Sequence, residues 1–235
     1  MTVDISYPGE ELELFANAHV WKDYWTRQAA PFIGARVFDV GSGAGGNLPW
    51  LAAHGTDWTC IEPDRRLAEQ LKQNLPNAQA GQKWRAVHGA LSDITESPRA
   101  DTIIYADVLE HIEDDRAEAA LAASMLNEGG RLIVLVPAHQ WLYSPFDAAI
   151  GHFRRYNRDS LKAVAPQNLE LVQMRYLDSI GMAASIANRF LLKASSPTPA
   201  QIELWDQRLV PLSKLCDPLL RYRLGKSLLA IWRRI

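Results

Sequence analysis

The sequence predicts an α/β fold, a mostly parallel sheet flanked by helices, on three observations. Short apolar runs bounded by turn residues recur over residues 35–136. Amphipathic segments of helical period separate them. A glycine-rich stretch, VFDVGSGAGGN, closes the first run. Strands alternating with helices make βαβ units, and such units need a parallel sheet covered on both faces. A chain of 235 residues with 48% hydrophobic and 22% charged content is long enough for one such domain and some appendages.

Taken in order, Leu12, Leu14, Phe15, His19, Trp21, Tyr24 and Trp25 recur at helical spacing and predict N-terminal helices within residues 1–34. Pro31 and Gly34 end them. Strands are expected at 35–40, 58–61, 84–87, 102–105 and 131–136, with helices at 48–53, 67–75 and 117–126 between them. After Pro137 comes a loop, 138–157, rich in aromatic, His and Arg residues, then a helix at 160–164 and a strand at 169–176. Residues 180–224 read as a helical insertion punctuated by Pro197, Pro199, Pro211 and Pro218, and 227–232 as a last strand. The Pro and Gly positions fall between elements, so residues 1–235 are expected to form a single domain.

A net charge of −2 and a pI near 6.3 provide no basic footprint for nucleic acid, which is not expected as a partner. Cys60 and Cys216 lie in apolar stretches and read as buried, reduced thiols. The start, MTVDISYPGEELELF, is acidic where a signal peptide is basic, and no apolar run approaches the roughly 18 residues of a membrane span. A cytoplasmic location is expected.

In VFDVGSGAGGN a strand runs into Gly41, Gly43 and Gly45 or Gly46, and a helix begins near Asn47. Glycines let backbone turn tightly and approach a ligand at a helix N-terminus. Gly41, Gly43 and Gly46, with Glu62 about 20 residues on, also fit a dinucleotide fingerprint. Asp39 separates the two. A carboxylate two places before the first glycine repels pyrophosphate but suits a cation, and S-adenosylmethionine (SAM) carries an ammonium and a sulfonium without phosphate. Glu62 can accept both ribose hydroxyls.

On the ordered segments FDVGSGAGGN, CIEPD, VHGALSD, IIYADVLEHIEDD and LNEGGRLIVLVP, the chain resembles the class I SAM-dependent methyltransferases from about Arg36 to Pro137. The resemblance implies a Rossmann-like, seven-stranded sheet of order 3-2-1-4-5-7-6 with the last strand antiparallel, residues 227–232 filling that place. It implies that Asp39 and the loop of Gly41, Ser42, Gly43, Gly45 and Asn47 hold the methionine end. Glu62 would hold the ribose, and Pro63 or Asp64 would flank the adenine. Ala90 follows Gly89 where an acid is common, so adenine contacts pass to the backbone of Ala90 and Leu91, or to Ser92 and Asp93. Ala106 and Asp107 would lie under the sulfonium.

Asp107, Glu110 and His111, at i, i+3 and i+4 of an expected helix start, converge on one side. Their pattern is similar to the acid-x-x-Glu-His motif of ubiquinone-biosynthesis O-methyltransferases, whose matching side chains are implicated in divalent-metal binding. Asp107 stands where Glu is usual in that family. His111 as base or substrate contact, a divalent metal, and plain helix packing all stay open, the metal being the less favoured. Glu113, Asp114 and Asp115 suit the next helix N-terminus. The segment VPAHQWLYSPFDAAIGHFRRYN concentrates His139, Trp141, Tyr143, Asp147, His152, Arg154, Arg155 and Tyr156 in the acceptor-side loop, and resembles the signature of a bacterial methyltransferase subgroup. His111, His152 and Tyr143 are the candidate catalytic residues. Asp147 is expected to pair with Arg154 or Arg155, the other arginine being free to meet an anionic acceptor.

In the insertion, Ile186, Phe190, Leu191, Leu209, Leu212, Leu215, Leu219 and Leu220 form an apolar stripe suited to core or a dimer surface. Arg221, Arg223, Lys226, Arg233 and Arg234 make the C-terminal end basic, which allows peripheral contact with an anionic membrane. A monomer and a homodimer both fit. The leading functional reading is methyl transfer to oxygen, in preference to nitrogen, of a small apolar or aromatic metabolite. YADV stands where D/N-P-P-Y/F marks enzymes that methylate planar exocyclic nitrogens. Two alternatives are a nicotinamide-dependent oxidoreductase and a non-catalytic binding protein that keeps the SAM fold.

Overall fold

The computed structural model describes residues 14–78, 81–95, 99–187 and 197–235. Seven strands, β1 (Arg36–Val40), β2 (Asp57–Glu62), β3 (Lys83–His88), β4 (Ala100–Ala106), β5 (Leu126–Pro137), β6 (Leu169–Leu177) and β7 (Ser227–Arg234), pair in the order β3-β2-β1-β4-β5-β7-β6. β7 runs antiparallel to both β5 and β6, and the remaining pairs are parallel. This is the expected topology. The helix at Leu48–Leu51 stops short of the expected end, with the chain reversing at Gly55 (φ 74°).

Alternation along the strands divides the core between the two faces of the sheet. Phe38, Ile103, Tyr105, Leu132, Val134 and Leu228 pack on one face beneath the helix Asp115–Met125. Val37, Cys60, Ile104, Ile133, Leu135 and Ile231 pack on the other against Trp21, Trp25, Ile202 and Trp205. The N-terminal helix His19–Ala29 and the insertion therefore share one face. Ala18 has no side chain with which to cap that helix. Asp206 of the insertion supplies the cap, accepting from Val20 N at 3.2 Å and Trp21 N at 2.8 Å, where helix N–H groups otherwise lack partners.

The insertion forms helices Ser179–Ala187, Pro199–Leu204 and Val210–Leu219, with a π turn at Trp205–Leu209. Leu12, Phe190 and Leu191 of the sequence reading lie outside the described residues. Cys60 is buried as expected, but Cys216 is only half-buried. Among the described residues no helix is long and apolar enough to cross a membrane.

Candidate active site

β1 and β2 end at the same level, and the glycine loop folds back over β2. Gly41 N and Ser42 N both donate to Ile61 O, at 2.8 and 3.1 Å. Gly41 sits at φ 68°, and a Cβ there would come within 2.5 Å of Val108 Cγ2, so this turn requires glycine. Glu62 accepts from Gly43 N at 2.8 Å and from Asp64 N at 2.9 Å, which ties the loop to the end of β2.

Asp39 is 4% exposed, and Ser42 Oγ lies 2.7 Å from its Oδ2. Burial, helped by the Glu62 charge and opposed by the Ser42 hydroxyl, pushes its carboxyl up to about 7. Burial also raises Glu62. Neither acid makes an ion pair among the described residues. Two buried acids without a cation fit the ammonium and ribose of SAM.

The N-terminal helix closes over the loop. His19 stacks on Trp50 at 5.4 Å between ring centroids, and Lys22 Nζ stands 5.4 Å from the same ring. The sequence reading gave His19 only a helical position and did not consider Lys22. A lysine on an amphipathic helix carries no signal of what it will cover.

On the adenine side, the Asp64 side chain caps the helix Arg65–Asn74 by accepting from Leu67 N at 2.9 Å. Leu91 is in the core, and the Asp93 carboxylate folds back onto Ala90 N at 2.9 Å. Pro63, Ala90 and Leu91 can therefore meet a ligand chiefly through backbone. Asn47 occupies the N-cap position of Leu48–Leu51, and its side chain makes no capping bond.

Beyond β4 the chain departs from the expected helix start. Asp107 takes a left-handed conformation (φ 57°), and Leu109–His111 is a 3-10 turn, so Asp107 does not share a face with Glu110 and His111. The protein packed around Asp107 pushes its carboxyl up to about 6, against the pull of His152, Lys226 and Arg155. The residue is nonetheless exposed, and water moderates that rise.

The partner of Glu110 and His111 is instead His152 from the acceptor-side loop. One ligating atom from each of the three lies within 4.8 Å of the others. The His111 and His152 rings meet edge to face at 4.5 Å, and His152 Nε2 lies 3.8 Å from Glu110 Oε1. Glu110 is fully buried, with neither carboxylate oxygen hydrogen-bonded, and its carboxyl is raised well above the usual range by burial and by Asp107. Burial and the neighbouring His152 lower His111 to about 4, while a hydrogen bond to the Gly151 backbone opposes this. At neutral pH His111 is uncharged.

The loop that delivers His152 is pinned from within. Asp147 Oδ1 lies 2.9 Å from His152 Nδ1, and Arg155 binds the same carboxylate through Nε at 2.8 Å and Nη2 at 3.0 Å. Ser144 completes a capping box with Asp147. Burial works against the Asp147 charge, but the bonds from His152 and Arg155 hold its carboxyl well below the usual carboxylate range. Arg154 is tied to Asp115 at 2.7 Å. Both arginines therefore brace the loop, where the sequence reading left one free for an acceptor. The Tyr143 hydroxyl donates to His152 O at 2.6 Å, so this candidate catalytic residue also acts as a brace.

A family model described as a methyltransferase domain matches residues 14–173. The chain belongs to the methyltransferase domain family. The match covers the glycine loop, the Glu110–His111 turn and the His152 loop together.

This methyltransferase domain is 31% identical over 128 residues to the ubiquinone biosynthesis O-methyltransferase of Xylella fastidiosa, an alignment covering 54% of this chain and 51% of that protein. The chain spans about half the length of that curated relative. A SAM-dependent methyltransferase from Mesorhizobium loti shares the fold with a TM-score of 0.61 at 15% identity, over 94% of this chain and 100% of that one. An N-methyltransferase from Bradyrhizobium japonicum aligns with a TM-score of 0.57 at 15% identity, over 92% of this chain and 96% of that one. Membership of the methyltransferase domain family makes SAM the cofactor.

Proposed function

We propose that this methyltransferase domain transfers the methyl of SAM to a hydroxyl of a small apolar or aromatic molecule, with His111 as the base. The observation that carries the reading is the meeting of His111 and His152 beside the buried Glu110, with His152 held through Nδ1 by Asp147. SAM, when bound, supplies a methyl activated by its sulfonium. Asp39 would hold the ammonium and Glu62 the ribose hydroxyls, with Gly41, Ser42, Gly43, Gly45 and Asn47 shaping the site and Ala106 and Asp107 beside the sulfonium. His111, uncharged at neutral pH, can take the acceptor's proton on its imidazole. The methyl would replace that proton on the acceptor oxygen, and the demethylated SAM product would leave. Exclusion of water by the braced loop favours this displacement.

O-methyl transfer, the activity for which the Xylella relative is named, supports oxygen as the target. Incubating a host extract with methyl-labelled SAM and the protein, then identifying the labelled product, tests the reading. Label on an ether oxygen is expected; label on a carboxylate oxygen, nitrogen, carbon or sulfur would refute it.

The unpartnered Glu110 carboxylate favours a second reading of the same pocket, with a divalent cation on Glu110, His111 and His152. On that reading a chelator abolishes turnover and magnesium or manganese restores it. Turnover unaffected by chelator leaves His111 as the base.

A further inference from the structure

At the sheet edge formed by β6, a cleft of about 850 Å³ is lined by Arg158, Arg175, Arg221 and Arg223 together with Tyr176 and Tyr222, and by no acid. None of these arginines makes an ion pair among the described residues. Arg158 lies over the Tyr176 ring at 5.2 Å and Arg175 over the Tyr222 ring at 4.5 Å, so their charges are held by aromatic faces. Arg221 and Tyr222 both adopt left-handed backbone (φ 52° and 55°), a constrained turn that places Arg221 and Arg223 at the mouth. Gln173, also in the lining, has a buried Nε2 donor with no partner.

An apolar surface adjoins this cleft. Pro218, at the end of the helix Val210–Leu219, is part of its wall. On that helix Leu212, Leu215 and Leu219 stand at i, i+3 and i+7, so they share a side, and they are 49%, 69% and 82% exposed. Leu220 and Leu224 continue the exposure along the turn that carries the arginines. The other three basic residues of the C-terminal end are engaged. Lys226 pairs with Asp178 at 3.6 Å, Arg233 pairs with Glu170, and Arg234 binds the Leu126 carbonyl.

We propose that the leucine side of Val210–Leu219 and the arginine cleft form one docking surface for an anionic phospholipid bilayer, the leucines entering the interface and the arginines taking headgroup phosphates. Charge complementarity selects this occupant. Apolar side chains alone would suit many partners, but the guanidinium groups beside them, which hold no carboxylate among the described residues and of which Arg158 and Arg175 bond only the Tyr222 carbonyl and Gln28 Oε1, match a surface that is apolar beneath and anionic above. The proposal does not depend on the acceptor or on the role of His111.

The test is co-sedimentation of the full chain with vesicles of phosphatidylcholine alone and with added phosphatidylglycerol, at low and high salt. Binding is expected only with phosphatidylglycerol and should weaken with salt. Arg221→Glu with Arg223→Glu, and separately Leu215→Ser with Leu219→Ser, should each lower vesicle affinity about tenfold or more. Both double variants should keep the thermal shift produced by the demethylated SAM product; if the charge reversal loses it, Arg221→Gln with Arg223→Gln takes its place. No binding to anionic vesicles, or unchanged binding by either double variant, overturns the proposal. So does a thermal shift with inorganic phosphate in the absence of vesicle binding, or a lipid-free dimer that Leu215→Ser with Leu219→Ser dissociates.

Discussion

His152 Nδ1 stands 2.9 Å from the Oδ1 of Asp147, five residues earlier in the chain, and Arg155 spans both oxygens of that carboxylate. The carboxylate fixes the imidazole with its proton on Nδ1 and its Nε2 turned toward Glu110. Asp147→Asn keeps the size of the side chain but breaks this preference. Turnover should fall by about 10- to 100-fold, while affinity for the SAM product stays within a factor of about two. Steady-state kinetics beside calorimetric titration measures both, and a parallel loss of affinity would make Asp147 a purely structural residue.

Asp39 is expected to be the principal contact of the SAM ammonium. Asp39→Ala should weaken SAM binding by about tenfold or more, the scale of a lost charge-assisted hydrogen bond. Unchanged affinity in a titration would remove that role.

Asp39 also makes the ligand-free protein pH-sensitive. An ordinary Asp titrates near about 4, whereas Asp39 is pushed to about 7 by burial. Between those values the folded protein holds a proton that the unfolded chain has released, so stability falls as pH rises through this window. Melting temperature against pH should show the fall, and Asp39→Asn should flatten it. A bound ammonium favours the charged carboxylate, so SAM product binding near pH 7 should release protons, measurable by calorimetry in two buffers of different ionisation enthalpy.

Glu110 is a buried carboxylate with no hydrogen-bond partner. Glu110→Leu should stabilise the ligand-free protein by about 1–3 kcal/mol, since an unsatisfied buried polar group is removed, and should abolish turnover only if a divalent cation on Glu110, His111 and His152 is required. A lower melting temperature would show that the carboxylate has polar company in solution.

Gly41→Ala places a methyl against Val108 and forces alanine to φ 68°. The left-handed conformation alone costs about 1–2 kcal/mol, and the clash adds to it. Val108→Ala in the same chain should recover only the second part. Full recovery in thermal denaturation would mean that the dihedral strain is absent.

Periodicity and turn chemistry determined the strands, the glycine loop and the positions of Asp39 and Glu62, because each of these depends on residues close in sequence, whereas the strand order was implied only by the family resemblance. A strand that ends in an acid and a glycine turn carries its own geometry. Apolar runs likewise need only their period to become strands, and residues 84–87 fall within β3, from Lys83 to His88.

Pairings across long sequence separations were decided only by tertiary structure. Helical spacing grouped Asp107 with Glu110 and His111, but the left-handed Asp107 and the 3-10 turn broke that spacing, and His152 entered from about 40 residues away. Lys226, read with the basic C-terminal end, turned to Asp178 and lies over the Trp205 ring at 3.9 Å. Asp206 capped a helix some 185 residues distant in sequence. Local sequence pattern records which face of an element is apolar. Which charge meets which across the fold follows from packing, because a buried ion is tolerated only where another element brings its partner.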